Sequence, residues 1–189
     1  FAVIDRYRPT VFYGVPTSYA AMLNTAERNG RTSLGRVRMC VSAGEPLPKP
    51  IYEKWLKRFG VGSLDGIGST EILHIFISNR PGRAKAGSTG EVVPGYEARI
   101  VGENGKDLPV GETGTLLIKG DSIAAGYWNK HEATKKTFLG EWINTHDKYR
   151  VDENGYYWYA GRTDDMMKVG GLAVWPSDVE AILVEHPSV

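Results

Sequence analysis

From Pro9 to Leu64 the chain alternates short apolar runs with amphipathic ones, and this order constrains the fold more than any other feature. Pro9-Thr-Val-Phe-Tyr-Gly-Val15 reads as a strand leaving a turn. Pro16 opens a helix expected to run through Arg28, with Tyr19, Met22, Leu23 and Ala26 on one face and Gly30 as its stop. Arg36 to Ser42 is a second strand, delivering Ala43-Gly-Glu-Pro46. A second helix is expected from Lys49 to Phe59, burying Ile51, Trp55, Leu56 and Phe59. Phe59-Gly-Val-Gly-Ser-Leu64 then looks like a short buried strand. A strand-helix-strand-helix-strand order implies a parallel sheet with right-handed crossovers, so the fold class is α/β.

That third strand runs into Asp65-Gly-Ile-Gly-Ser-Thr-Glu71, a loop of small residues with two hydroxyls and two carboxylates. In α/β proteins ligands collect at the carboxyl ends of the strands. Small residues let a ligand approach the backbone, Thr70 can donate to phosphate oxygens, and Glu71 is a hard oxygen ligand suited to magnesium. A Gly/Ser-rich surface turn with a solvated glutamate is the plain alternative.

The pattern then changes. Ile72 to Ser78 is mostly apolar, and a polar loop covers Asn79 to Thr89. From Gly90 to about Ala160 short strands are divided by turns: Tyr96 to Val101, Gly114 to Lys119, Trp142 to Thr145 and Tyr156 to Tyr159, with one helix near His131 to Phe138. Such a run argues a small distorted β-barrel. After Gly161, Pro176 to Glu185 reads as a helix, and Ser177 with Glu180 suits a capping box if Ser177 is the cap. The expected division is residues 1–89, part of a parallel-sheet subdomain; 90–161, the barrel; and 162–189, the start of a small α+β lid.

Composition excludes several classes. A net charge of +1, with acids and bases interspersed, gives no footprint for nucleic acid. No apolar run approaches the length of a membrane span. The single cysteine, Cys40, reads as core filler and fits a reducing, cytoplasmic setting. Both ends look cut, because Phe1-Ala-Val-Ile4 starts in mid-pattern without methionine and the chain stops at His186-Pro-Ser-Val189, so a fragment is expected. The four histidines lack metal-ligand spacing. Gly102-Glu-Asn-Gly-Lys106 is too short for a phosphate loop, and no Gly-x-Ser-x-Gly elbow is present. Tyr156-Tyr-Trp-Tyr159 reads as barrel packing.

Four pieces, Ser42-Ala-Gly-Glu-Pro46, Asp65 to Glu71, Thr145-His-Asp147 and Gly161-Arg-Thr-Asp-Asp165, together resemble the adenylate-forming superfamily of acyl- and aryl-CoA ligases, luciferases and peptide-synthetase adenylation domains. Gly68-Ser-Thr-Glu-Ile-Leu-His-Ile75 and Trp142 to Tyr149 look most like benzoate-CoA ligases. The resemblance implies ATP, magnesium and coenzyme A, and an aromatic carboxylic acid as substrate. By resemblance Gly44, Glu45 and Pro46 border the adenine, Asp65 accepts from its amino group, and Gly66 and Ile67 pack against it. Many relatives place an aromatic residue at the position of Ile67. Thr70 meets phosphate and Glu71 holds magnesium, the implied metal site. Asp147 and Arg162 take the ribose, where one carboxylate can accept from both hydroxyls. Gly68, His74 and Ile75 line the acyl pocket; a lone histidine in an apolar run is otherwise a core residue. Asp164 is the lid hinge, and Lys168, Gly170 and Gly171 meet the pantetheine channel.

One departure stands out. Relatives usually carry glycine or another small residue where this chain has His146, and a positive φ there costs histidine something. Gly87-Ser-Thr-Gly90 lacks the lysine of the superfamily's phosphate loop, which is expected upstream of Phe1, and the lid lysine is expected beyond Val189. The rival readings are a peptide-synthetase adenylation domain, a ligase for aliphatic acids, and a non-catalytic AMP-binding module.

Overall fold

The computed structural model of the chain describes residues 1–163, 165, 167–169, 172–174 and 176–183, and divides into two compact units. The first comprises Phe1–Ile67 and Ser78–Gly90; the second comprises Gly68–Ile77 and everything from Glu91 onward.

The first unit carries α1 (Ala2–Tyr7), β1 (Val11–Gly14), α2 (Pro16–Arg28), β2 (Met39–Ser42), α3 (Lys49–Phe59) and β3, which runs from Ser63 and ends at Gly68. Strands β1, β2 and β3 pair in parallel, with Phe12 opposite Cys40, Val41 opposite Leu64 and Ser42 opposite Asp65. The parallel sheet expected from the alternation is therefore present.

Its core is aromatic. Tyr19, Leu23 and Ala26 of α2 and Trp55 and Phe59 of α3 are buried with Cys40. The Trp55 ring meets those of Tyr19 and Phe59 edge-on or tilted, at 4.6 Å in each case, the geometry that aromatic quadrupoles favour. Tyr19 satisfies its hydroxyl by donating to the Val41 carbonyl at 2.9 Å. Burial pushes the Cys40 thiol up to about 11, so it is the inert core residue expected. Leu56, expected inside, is 40% exposed: the aromatic residues one position before and three after it already fill that face of α3. Helix α1 was not foreseen; at six residues it is too short to show a period.

Strand β3 starts later and reaches further than expected. Asp65 to Gly68 belong to the strand, because the ladder to β2 extends to Asp65. The segment from Asn79 to Thr89 returns to this strand: the Asn79 amide donates to the Asp65 carbonyl at 2.8 Å. The Asn79 side chain spans the loop, donating to Ser88 O at 2.6 Å and accepting from the Lys85 amide at 3.0 Å.

The second unit opens with a 3-10 turn, Thr70–Ile72, and β4, which starts at Ile75 and ends at Ser78. There follow β5 (Glu91–Val92), β6 (Tyr96–Val101), β7 (Gly114–Gly120), α4 (His131–Thr137), β8 (Phe138–Leu139), β9 (Trp142–Val151) and β10 (Tyr157–Arg162). Four of these strands form an antiparallel sheet in the order β10-β9-β7-β6, the curled sheet expected for the barrel portion. Leu116, Ile118, Ile143 and Tyr149 form its buried side, with Tyr149 packed against Tyr157 and Tyr159. The chain continues through a hairpin, β11 (Met167–Val169) against β12 (Leu172–Val174), to α5 (Pro176–Leu183). Because α5 begins at Pro176, Ser177 lies inside the helix rather than at its cap.

Candidate functional site

Consider first the carboxyl ends of β2 and β3. Asp65 and Ser42 are neighbours in the ladder and both are buried. Burial dominates at the Asp65 carboxyl and pushes its pKa up to about 8, against a smaller lowering influence of the Leu47 and Gly66 backbone. Asp65 Oδ1 and Ser42 Oγ have no hydrogen-bond partner among the described residues. Orphaned polar atoms in a buried place are costly, so they mark a position that a polar ligand would complete. An adenine amino group has the donor that Oδ1 lacks. Beyond the end of β2, Gly44, Glu45 and Pro46 are exposed, with Gly44 at φ 94°. Ile67 is half-buried and Gly66 buried.

In the second unit the turn Thr70–Ile72 holds Thr70 exposed and Glu71 partly buried. Gly68 has to be glycine: a Cβ there would lie 2.4 Å from the His74 carbonyl oxygen. Leu73, at φ 80° and ψ −49°, closes the turn in a strained conformation while 76% exposed. His74 is exposed and Ile75 half-buried, so His74 is not a core histidine. Glu71 Oε1 accepts from the Tyr127 hydroxyl at 2.7 Å. That bond, with a smaller contribution from the Arg162 charge, holds the Glu71 carboxyl below the usual carboxylate range.

The motif Thr145-His-Asp147 lies inside β9 rather than after a strand. Its three residues bulge opposite Leu116, since Thr115 pairs Lys148 while Leu117 pairs Asn144. The bulge is held by side chains: Thr145 Oγ1 donates to Leu116 O at 3.1 Å and accepts from the Asp147 amide at 3.2 Å. Asn144 Oδ1 accepts from the His146 amide at 2.9 Å. His146 sits at φ 62°, the left-handed conformation suspected from its place in the motif. Strand β10 has its own irregularity between Tyr159 and Gly161, which sets Arg162 opposite Asp147. Bulges re-aim side chains in this way, and they recur beside active sites.

Asp147 is only 8% exposed, so the reading as a turn aspartate is excluded. Burial raises its pKa to about 6, outweighing the opposing pull of Arg162. The Arg162 contact is long, Nη1 to Oδ1 at 3.4 Å, and the arginine side chain is half-exposed. A loosely held guanidinium of this kind keeps donors free for an anion. Thr70, Glu71, Asp147 and Arg162, remote in sequence, thus belong to one compact unit, with Arg162 acting on both carboxylates.

One residue of this constellation was not foreseen, Tyr127. It looks locally like a loop tyrosine, and only the fold brings it to a glutamate 56 positions away. Lys168 lies in β11 opposite Ala173. Asp164, Gly170 and Gly171 lie outside the described residues.

Residues 1–128 match the AMP-binding enzyme family. Over its whole length the chain is 50% identical to the benzoate–CoA ligase of Thauera aromatica, of which it covers 36%. Among solved structures it is similar to an anthranilate CoA ligase in complex with anthranoyl-AMP (TM-score 0.93, 49% identity, 98% of this chain and 36% of that one). It is also similar to a benzoate CoA ligase from Burkholderia xenovorans LB400 (TM-score 0.89, 51% identity, 98% and 37%). The chain thus spans about a third of the length of the relatives it matches. With motif order, fold and similarity in agreement, the chain belongs to the AMP-binding enzyme family.

Proposed function

We propose that the protein carrying this chain is an ATP-dependent aryl-CoA ligase acting on a benzoate-like acid in the cytoplasm. The substrate carboxylate attacks the α-phosphate of ATP, pyrophosphate leaves, and the CoA thiol then displaces AMP from the acyl-adenylate. The observation that carries this reading is the grouping of Glu71, Asp147 and Arg162 around one set of electrostatic contacts. A ribose diol would donate to Asp147, with Arg162 shared between sugar and phosphate; Thr70 would donate to phosphate oxygens. Asp65 would take the adenine amino group on its orphan oxygen, with Gly44, Glu45, Pro46, Gly66 and Ile67 beside the base.

Magnesium, when bound, offsets charge building on the transferring phosphoryl group. Glu71 fits it as a hard, ionised oxygen ligand. Among the described residues no group of three or more His, Cys, Asp or Glu could hold a metal ion. The ion would therefore take its other ligands from phosphate and water, as magnesium in nucleotide sites commonly does. With that reading, catalysis is positioning and electrostatic stabilisation.

Gly68, His74 and Ile75 would line the acyl pocket, and the named relatives' benzoate and anthranilate substrates favour an aromatic acid. The hinge role of Asp164, the coenzyme A contacts of Lys168, Gly170 and Gly171, and the three-part division at residues 89 and 161 belong to the same proposal. No helix among the described residues is long and apolar enough to cross a membrane. The test is benzoate-dependent exchange of pyrophosphate into ATP by the full-length protein. Exchange is expected with benzoate, at a rate well above that with aliphatic or amino acids, and lowered on the order of a hundredfold in Glu71→Gln. Tight AMP binding without exchange on any acid would instead establish a non-catalytic module.

A further inference from the structure

Behind Glu71 stands a support that neither the motif nor its role in binding requires. Segment 122–127 grips the Thr70–Ile72 turn at three points. Ala124 N donates to the Glu71 carbonyl at 2.8 Å, Ser122 Oγ donates to the Ile72 carbonyl at 2.7 Å, and the Tyr127 hydroxyl reaches Glu71 Oε1 at 2.7 Å. Tyr127 is itself fixed by α4. Its amide donates to Thr134 Oγ1 at 3.0 Å, and its ring meets Phe138 edge-on at 5.3 Å. Gly126, at φ 151°, allows this approach, since a Cβ there would stand 2.7 Å from Thr134 Cγ2.

The direction of the Tyr127 bond follows from donor counting. An ionised Glu71 can only accept, so Tyr127 gives its single proton there. The tyrosine is thus held at its amide by Thr134 and at its ring by Phe138, and spends its one side-chain donor on Glu71.

We propose that Tyr127 is a positioning residue that aims the Glu71 carboxylate as a metal ligand, with Thr134 of α4 fixing the Tyr127 backbone. The inference rests on the reading of Glu71 as the magnesium ligand. It assigns a task to Tyr127 and, through it, to Thr134 on α4. Outer-sphere partners that orient a ligand typically alter metal affinity by 10- to 100-fold when removed.

The experiment titrates Mn2+ into the full-length protein saturated with ATP and lacking acid, so that no turnover occurs, and reads bound Mn2+ by water-proton relaxation. Tyr127→Phe is expected to raise the half-saturating Mn2+ concentration about tenfold. Thr134→Val is expected to raise it about threefold, a smaller effect because it acts one bond further away, while Thr134→Ser keeps the parent value. Glu71→Gln serves as the reference. Loss of Mn2+ binding in Glu71→Gln with Tyr127→Phe within twofold of the parent overturns the positioning role and leaves the proposed function standing. Unchanged binding in Glu71→Gln removes the metal from Glu71, and the positioning role falls with it. Should Tyr127→Phe fail to fold, the Thr134 pair decides: equal values for Val and Ser overturn the positioning role, and a loss in Val restored in Ser supports it.

Discussion

Asp65 and Asp147 are both shielded from water, yet their surroundings move them unequally. Asp147 has Arg162 beside it and is raised only to about 6, while Asp65, with no cation acting on it among the described residues, is raised to about 8. An unfolded aspartate titrates near 3.9. The folded chain therefore keeps a proton on Asp65 that the unfolded chain releases between about pH 4 and pH 8, and stability falls as pH rises through that window. Asp65→Asn is expected to remove this slope, so its advantage in melting temperature over the parent should grow from pH 5 to pH 8. Thermal unfolding of both proteins at several pH values checks this; parallel curves would contradict it. Removing the cation in Arg162→Gln should move the Asp147 titration above about 6, read by carboxyl NMR. At Gly68 steric contact decides. A methyl there meets backbone rather than a yielding side chain, so Gly68→Ala should cost about 1–3 kcal/mol in urea unfolding.

Elements with a strong period were legible in the sequence, and those shaped by partners were not. Helix α2 begins at Pro16 and ends at Arg28, and α3 covers Lys49 to Phe59, as their apolar spacing and Pro/Gly punctuation implied. Strand β9 is a different case. Its first residues read as a strand, but the Thr145-His-Asp147 bulge breaks the alternation, so its continuation to Val151 was not visible. The bulge is stabilised by the Leu116 carbonyl and by side chains acting on backbone, contacts that no local pattern encodes. For α3 the expected weight falls on Trp55, which is fully buried and touches Tyr19, Phe59 and Phe12. Trp55→Ala should destabilise the protein by about 3–5 kcal/mol, measured by chemical denaturation. A loss below about 1 kcal/mol would mean that the aromatic cluster is not what holds α2 and α3 to the sheet.

For the whole molecule, the chain holds about a third of the length of its relatives, so the proposed reaction calls for more polypeptide than these 189 residues. The 189-residue chain by itself is expected to give no carboxylate-dependent pyrophosphate exchange, whereas the full-length protein should. Measurable exchange by the short chain would show that the residues described above suffice for adenylation.

The sequence by itself determined the element types and the family, because helical period, turn residues and short motifs in a fixed order are local properties. It also placed glycine at Gly68 and a suspect histidine at position 146. Only the tertiary structure decided how these parts meet. Glu71 and Tyr127 stand 56 positions apart, and irregularities in β9 and β10 bring Asp147 and Arg162 face to face. Contacts of that separation depend on register and packing, quantities that a linear pattern of residues does not carry.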